Sequence, residues 1–174
     1  MTKARVLLGC LMLLTYSHAS TAQDSALPKG VRVYEAGAAP VLHLHDMDGV
    51  GFSLQDDGKG RWVFVHFWAS WCGPCRKEMP AIQRMVQRLE SDRVHVALVN
   101  TAEDEDTIFS FLAAVAPEMS SLMDSDGQAT EAWQPRGLPA TYLVDPQGLI
   151  RYQALGGLPW DQPDYLAFLE QLPR

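Results

Sequence analysis

The chain has 174 residues, a formal net charge of −7, 47% hydrophobic residues and 20% charged residues. This length and composition are typical of one globular domain with an ordinary core, and they exclude a chain that is disordered throughout. The sequence has no cluster of lysine and arginine, so neither nucleic acid nor an anionic membrane surface is expected as a partner.

The first 22 residues have the pattern of a secretory signal peptide. Lys3 and Arg5 precede an apolar run over residues 6–14, and small or polar residues follow as far as Ala22. We expect cleavage after Ala22, because the apolar run is too short to span a bilayer comfortably. An uncleaved anchor, or a lipid attached to Cys10, is the less favoured alternative. Export predicts a periplasmic or equivalent oxidising location.

After the signal peptide, the chain is predicted to fold as a single domain. Residues 23–37 contain a proline and two glycines, so we interpret them as a linker or a loosely packed N-terminal arm. The domain then spans 38–174. Strand patterns alternate there with helical patterns, which indicates an α/β fold.

A β-hairpin is predicted at the start of the domain. Leu42 and Leu44 alternate with two histidines, which is typical of a half-buried strand. Asp48-Gly49 favours a tight turn, and residues 50–54 would return as the second strand.

The polar side of this hairpin leaves two interpretations open. His43, His45 and Met47 share one strand face, and two imidazoles with a thioether suit copper, so a copper-binding or chaperone function is an alternative. The favoured interpretation is that the three side chains fill the solvent face of the strand, because matching spacing alone is weak evidence for a metal site.

The most informative stretch is a strand that leads into a pair of cysteines. Residues 62–68 are apolar at nearly every position, as in a central strand buried on both faces. The sequence Cys72-Gly73-Pro74-Cys75 follows, and a helical pattern comes after it. The cysteine pair is therefore predicted to lie where a strand gives way to a helix.

This position suits redox chemistry. The first N–H groups of a helix are unpaired and carry positive potential, which favours a thiolate over a thiol. Cys72 is predicted to attack a disulfide in the substrate, and Cys75, one turn further on, to resolve the mixed disulfide. Pro74 suits the first helical turn because it lacks an N–H group that would have no partner there. No cofactor is expected beyond the disulfide of Cys72 and Cys75.

Two other interpretations of the cysteine pair are weaker. A zinc site would need two further Cys or His ligands at similar spacing, and the sequence has no second pair, so no metal is expected. A purely structural disulfide would close a very short loop and would constrain the unfolded chain little.

The motif Trp71-Cys72-Gly73-Pro74-Cys75 resembles the active site of the thioredoxin superfamily. The flanking residues, Phe67-Trp68-Ala69-Ser70 before it and Arg76-Lys77-Glu78-Met79-Pro80 after it, resemble one branch of that superfamily. This branch comprises the periplasmic or membrane-anchored thiol-disulfide oxidoreductases of the TlpA/ResA/DsbE type. The resemblance implies a thioredoxin-like fold, with a central mixed sheet flanked by helices, an N-terminal β-hairpin and a central insert.

The resemblance also implies an activity. A Gly-Pro dipeptide between the cysteines accompanies reducing members, so we expect a reductase of protein disulfides, acting in cytochrome c maturation or a related thiol delivery. A membrane protein of the thiol-reductase type is the expected electron donor, and the chain is expected to be a monomer. A peroxidase of the same fold is an alternative, but it typically sets its cysteine in a Thr/Pro-rich loop.

Two residues are candidates for the proton acceptor of Cys75. Many thioredoxins carry a buried acid six residues before the first cysteine, where this chain has His66. A hydrogen-bonded core histidine is the favoured interpretation of His66. The branch that the motif resembles offers Glu78 as the other candidate. Glu78 lies three residues after Cys75 on the same helix face and is favoured as the acceptor, although a first-turn acid that complements the helix dipole is the alternative.

The second signature of the resemblance is Gly137-Leu138-Pro139-Ala140-Thr141. It resembles the family's cis-proline, which lies against the two cysteines and leaves the Leu138 backbone free to pair with an extended substrate. Trp71, Gly73, Pro74, Leu138 and Pro139 are therefore expected to form the substrate surface. The alternative is an ordinary trans proline at the start of a strand.

The remaining elements follow from hydrophobic spacing and turn residues. We expect the first helix to reach about residue 90 with a kink at Pro80, and further elements in this order: a strand at 94–99, a helix that opens within 101–106 and ends at Pro117, a helix at 126–133, a strand pair at 141–144 and 149–154, and a last helix that starts near Asp161.

Overall fold

The structure is a computed structural model, and it describes residues 27–34, 37–89 and 93–173. The predicted signal peptide, with its cleavage position and Cys10, lies outside the described residues. Within the described ranges, no helix has both the length and the apolar character needed to cross a membrane.

Strands and helices alternate along the described chain. In order, they are β1 (Val31–Val33), β2 (His43–His45), β3 (Gly51–Ser53), α1 (Leu54–Asp57), β4 (Trp62–Trp68), α2 (Gly73–Arg88), β5 (Val94–Thr101), α3 (Glu105–Val115), β6 (Leu122–Asp124), α4 (Gln128–Trp133), β7 (Ala140–Val144), β8 (Ile150–Leu155) and α5 (Pro163–Glu170).

The main sheet is mixed, as predicted. Its six strands lie in the order β1-β8-β7-β4-β5-β6. The pairs β4–β5 and β5–β6 are parallel, whereas β4–β7, β7–β8 and β1–β8 are antiparallel. Strands β2 and β3 form a separate antiparallel hairpin, which confirms the predicted N-terminal hairpin.

Strand β4 lies in the centre of the sheet, and all seven of its residues are buried. Because side chains alternate between the faces of a strand, β4 contributes to two cores. Phe64 and Trp68 pack in one core with residues of α2, α3 and α5. Val65 and Phe67 pack in the other core with the hairpin and with Trp133 of α4. Both faces are covered, as the apolar pattern of this strand predicts.

The hairpin places its residues nearly as predicted. Leu42 is buried, while His43 and His45 are exposed, with ring centroids 6.1 Å apart. Met47 differs from the expectation, because it is only half-exposed and packs against the core under α2. Within the described residues, no group of three His, Cys, Asp or Glu side chains is arranged to hold a metal ion.

Strand β1 differs from the sequence-based expectation. Val31–Val33 fall in the segment interpreted as a linker or loose arm, but they pair antiparallel with β8 at the edge of the sheet. Val31 is buried, and the Tyr165 hydroxyl of α5 donates a hydrogen bond to the Lys29 carbonyl at 2.7 Å. This part of the segment is therefore a component of the fold.

Helix α3 begins within the predicted range, residues 101–106. It starts at Glu105, because Asp104 is the N-cap and its side chain accepts a hydrogen bond from the Thr107 N–H group at 2.8 Å. The residues before it form the turn that leaves β5, and this turn supports the site described below.

Candidate active site

The two cysteines lie at the first turn of α2, directly beyond the carboxyl end of β4. Cys72 is the N-cap, and its Sγ accepts a hydrogen bond from the Cys75 N–H group at 3.2 Å. Gly73 and Pro74 are the first helical residues, which is the position where proline costs no hydrogen bond. The sulfur atoms of Cys72 and Cys75 form a disulfide. The predicted strand, cysteine pair and helix are therefore all present.

The two sulfur-bearing residues differ in access to solvent. Cys72 is 5% exposed, whereas Cys75 is fully buried. Trp71, beside Cys72, is 70% exposed, although most large apolar side chains of the described chain are buried. A partner that approaches this surface therefore meets Trp71 and Cys72 before Cys75.

An acidic residue that sequence analysis missed anchors the loop before Cys72. Glu103 accepts hydrogen bonds from the Ser70 N–H group at 2.7 Å and from the Asn100 side chain at 2.7 Å. The Ser70 hydroxyl also donates to it. From the sequence, Glu103 was predicted only to lie in the range 101–106, where a helix opens. The structure shows instead that Glu103 ties the end of β5 to the loop that carries the cysteines.

The Leu138–Pro139 peptide bond is cis, which confirms that prediction. The next residue, Ala140, pairs with Phe67 of β4, so Pro139 lies at the end of β4 from which the chain runs to Cys72. The Pro139 carbonyl accepts a hydrogen bond from the Gly156 N–H group at 2.9 Å. Leu138 is half-buried, and its backbone makes no hydrogen bond to another described loop residue.

The loop between β8 and α5 closes over the start of α2. Gly157 lies so near that a Cβ atom there would sit 3.3 Å from the Pro74 carbonyl oxygen and 3.7 Å from the Cβ atom of Glu78. A side chain at this position would crowd the helix, so the close approach depends on glycine.

Glu78 points from α2 into the protein rather than to solvent. It is 4% exposed, and its Oε1 atom accepts hydrogen bonds from the Leu158 N–H group at 2.9 Å and the Trp160 indole at 2.6 Å. Burial raises the pKa of Glu78 to about 7, and these two hydrogen bonds oppose the rise. The alternative of a first-turn acid that complements the helix dipole is wrong, because Glu78 lies beyond the first turn and is buried.

His66 is fully buried on β4 and faces Glu78. Its Nδ1 atom lies 2.9 Å from the Thr141 hydroxyl oxygen, and its Nε2 atom lies 3.7 Å from Glu78 Oε2. Burial lowers the pKa of His66 to about 3, so the ring is neutral. The structure thus brings together the two residues that the sequence offered as alternative proton acceptors.

A cleft of about 460 Å³ opens beside Glu78. Pro74, Lys77 and Glu78 line its wall on α2, and the loop that carries Gly157 and Leu158 forms the opposite wall. The cleft therefore borders Glu78 and reaches Pro74 at the first turn of α2.

Comparison with known proteins identifies the family. Residues 36–153, which include both cysteines and Pro139, match the AhpC/TSA family. The chain belongs to the AhpC/TSA family.

Two relatives of this AhpC/TSA protein come from Bacillus subtilis (strain 168). It is 29% identical over 142 residues to the thiol-disulfide oxidoreductase ResA, a match that covers 82% of this chain and 79% of the relative. It is 33% identical over 126 residues to the thioredoxin-like protein YneN, which covers 71% of this chain and 72% of the relative.

The solved structures that resemble this chain include proteins of the same kind as its sequence relatives. The structure assigned to a thiol:disulfide interchange protein DsbE from Chlorobium tepidum aligns with a TM-score of 0.67 at 30% identity, over 79% of this chain and 99% of that chain. StoA from Bacillus subtilis aligns with a TM-score of 0.65 at 24% identity, over 76% and 99% of the two chains, and supports the fold alone. The AhpC/TSA protein has a thioredoxin-like fold and is a thiol-disulfide oxidoreductase.

Proposed function

We propose that this protein reduces disulfides of other proteins in the periplasm or an equivalent exported space, in cytochrome c maturation or a related thiol delivery. The observation that carries the proposal is the unequal pair at the start of α2, where Cys72 keeps a small exposed fraction of 5% and Cys75 is fully buried. Such a pair suits a reaction in which one sulfur meets the substrate and the other completes the exchange. The predicted signal peptide supports the exported location.

The reaction begins at Cys72. The Cys72 thiolate, stabilised by the N-terminal end of α2, attacks one sulfur of the substrate disulfide, and the second substrate sulfur leaves as a thiol after taking a proton. Cys75 then loses its proton to the buried acid–base pair of Glu78 and His66. It attacks Cys72, forms the Cys72–Cys75 disulfide and releases the substrate with two thiols, so two electrons pass to the substrate.

The residues around Cys72 form the substrate surface in this proposal. Trp71 offers an exposed aromatic face, and Gly73 with Pro74 leaves the start of α2 free of bulky side chains. An extended substrate segment can pair with the backbone of Leu138, because Pro139 has no N–H group and the Leu138 backbone is not used in the loop.

The proposed cycle needs an electron donor but no bound cofactor. The cysteine pair holds both electrons, and each turnover leaves it as a disulfide that must be reduced again. An exported protein meets an oxidising compartment, so we propose a membrane protein of the thiol-reductase type as the donor. We further propose that the protein acts as a monomer, without metal or nucleic acid.

Trapping the mixed disulfide tests the proposal. With the chain lacking residues 1–22, we expect the reduced wild type to reduce insulin under dithiothreitol. Without dithiothreitol, the reduced Cys75→Ser variant should accumulate a mixed disulfide with insulin. The Cys72→Ser variant should form none, because only Cys72 meets the substrate. The proposal fails if the wild type inserts disulfides into a reduced protein faster than it removes them.

The same preparations address the two alternatives. Consumption of hydrogen peroxide without a thiol partner would favour the peroxidase. Copper retained by the variant with both Cys72→Ser and Cys75→Ser would favour a binding site at His43 and His45.

A further inference from the structure

Two buried polar atoms face each other between β4 and α2, and neither has a hydrogen-bond partner among the described residues. They are Oε2 of Glu78 and Nε2 of His66, 3.7 Å apart. The other polar atoms of both side chains are bonded, since Oε1 of Glu78 accepts two hydrogen bonds and Nδ1 of His66 meets Thr141. Unpaired buried polar atoms are costly, so this arrangement requires an explanation.

Thr141 contacts the other ring nitrogen of His66, with its hydroxyl oxygen 2.9 Å from Nδ1. It is the cross-strand neighbour of His66, with β4 and β7 in register at this pair. When Nδ1 carries the ring proton, it donates to the Thr141 hydroxyl oxygen, and Nε2 is left with a free lone pair that points at Glu78. A free lone pair facing a charged carboxylate would be repulsive, whereas a protonated carboxyl group would donate a hydrogen bond to it.

We propose that Glu78 and His66 hold one proton between Oε2 and Nε2, carried by Glu78 and accepted by the neutral ring of His66. Thr141 maintains this arrangement by holding the ring proton on Nδ1. His66 is therefore a positioning residue for Glu78, and this inference rests on the proposed reduction of disulfides, whose proton step it specifies.

The charged groups near Glu78 leave this arrangement intact. On α2, Lys77 and Arg84 line the adjoining cleft, and Arg84 is paired with Asp161 at 2.8 Å. From α5, Tyr165 packs against the Trp160 ring rather than against the carboxyl group. None of them bonds Oε2. Burial lowers the pKa of His66 and raises that of Glu78, which also favours the proton on Glu78.

With this arrangement, each proton in the proposed cycle has a donor and an acceptor. When Cys75 attacks the mixed disulfide, its proton passes to the Glu78 carboxylate, and the departing substrate thiolate takes a proton from solvent. The Cys72–Cys75 disulfide of this structure is the product of that step, with the proton held between Glu78 and His66. When a donor dithiol reduces the disulfide, Cys75 leaves as a thiolate and recovers the proton from Glu78. His66 stays neutral throughout.

Nitrogen NMR of the disulfide form tests the proposal. In protein with ¹⁵N-labelled histidine, we expect His66 to keep its proton on Nδ1 and a bare Nε2 across the range in which ordinary histidines titrate. The Nε2 signal should show one step near pH 7, where Glu78 loses its proton. An imidazolium that forms near the ordinary pKa of 6.5, or a proton on Nε2, would overturn the proposal.

Two variants separate the roles of the partners. Glu78→Gln should abolish the step in the His66 signal while the ring stays neutral. Thr141→Val should release the ring to carry its proton on Nε2 and donate to the Glu78 carboxylate, which lowers the pKa of Glu78 from about 7 toward 4.5. Thr130→Val on α4, which removes a different hydroxyl hydrogen bond, is the matched control and should leave the step in place.

Failure of this inference can be distinguished from failure of the proposed function. The NMR measurements use the disulfide form at rest, so they need no turnover. A protein that reduces insulin but has a charged His66 refutes the shared proton alone. A step that stays at the same pH in Thr141→Val refutes the role of Thr141. If that variant does not fold, the wild-type and Glu78→Gln spectra still decide where the proton lies.

Discussion

Glu78 is a carboxyl group held out of water, and its burial sets how stability changes with pH. Its folded-state pKa of about 7 lies above the ordinary 4.5, so the folded protein binds this proton more tightly than the unfolded chain. The resulting stability is fully present below pH 4.5 and is lost as the pH rises through 7. His66 acts oppositely, because its lowered pKa gives stability above pH 6.5 that is lost as the pH falls toward 3.

Glu78→Gln should therefore stabilise the protein at alkaline pH while it slows the reaction. Glutamine keeps the hydrogen bonds from Leu158 and Trp160, and its amide can donate to His66. Between pH 4.5 and about pH 8, we expect the free energy of unfolding of the variant to gain about 3 kcal/mol on that of the wild type. Urea unfolding of the disulfide forms measures this difference.

An exposed acid provides the control for that experiment. Glu118 lies on the surface after α3, and Glu118→Gln should change the free energy of unfolding by less than about 0.5 kcal/mol at either pH. If the stability difference between Glu78→Gln and wild type stays constant with pH, the raised pKa of Glu78 is refuted.

At the scale of residues, the sequence predicts which side chains belong to the site, but it does not predict which distant residues contact them. Cys72 and Cys75 were found from their spacing at the start of a helix, and Glu78 was found from the family resemblance together with its position one turn further along the same helix. The meeting of Glu78 with His66 depends on how α2 packs on β4, which no local pattern encodes. Leu158 and Trp160 were missed for the same reason, since they reach Glu78 from a loop 80 and 82 residues away.

At the scale of elements, the loop that carries the cysteines depends on a contact from the neighbouring strand. Glu103, just beyond β5, accepts hydrogen bonds from Ser70 and Asn100. The loop between β4 and α2 is therefore held by β4, from which it starts, and at Ser70 by the turn after β5.

Glu103→Ala should loosen this loop. The Ser70 N–H group and the Asn100 amide would lose their acceptor, and we expect stability to fall by about 1–3 kcal/mol. The rate at which Cys72 forms the mixed disulfide should fall with it, because the loop positions that sulfur. Urea unfolding and stopped-flow mixing with a small disulfide measure the two effects.

Glu105→Ala, two residues further on at the exposed start of α3, is the matched control. It removes an acid of similar position in sequence that makes no contact with Ser70. Equal losses of stability and rate in the two variants would contradict the anchoring role of Glu103.

Elements with a strong period were predictable, and short ones were not. Strand β4 and helix α2 follow from long apolar patterns, and the β2–β3 hairpin follows from alternation around Asp48-Gly49. Strand β1 has three residues and only one buried side chain, so its sequence carries no detectable period. Val31–Val33 form a strand because they pair with the edge of β8, which lies about 120 residues further along the chain.

At the scale of the whole molecule, β1 completes the edge of the main sheet. It covers β8, adds Val31 to the core under α2 and brings Lys29 to the hydroxyl group of Tyr165. The boundary of the folded unit therefore lies before residue 31 rather than at residue 38.

Truncation tests that boundary. A chain that starts at residue 38 should be less stable than one that starts at residue 27 by at least about 2 kcal/mol, because Val31 loses its burial. It should also self-associate, since β8 becomes an unpaired edge strand. Urea unfolding and sedimentation measure both effects, and identical behaviour of the two chains would show that β1 adds nothing to the fold.

The central claim is that the cysteine pair delivers electrons rather than accepts them, and its reduction potential tests this most directly. The potential is measured by tryptophan fluorescence, reported by Trp68 and Trp71 beside the pair, against defined ratios of thiol to disulfide. If the pair delivers electrons, we expect a value of about −270 mV, as in thioredoxin. A value near about −120 mV, as in the strong oxidant DsbA, would contradict it and make the protein a donor of disulfides.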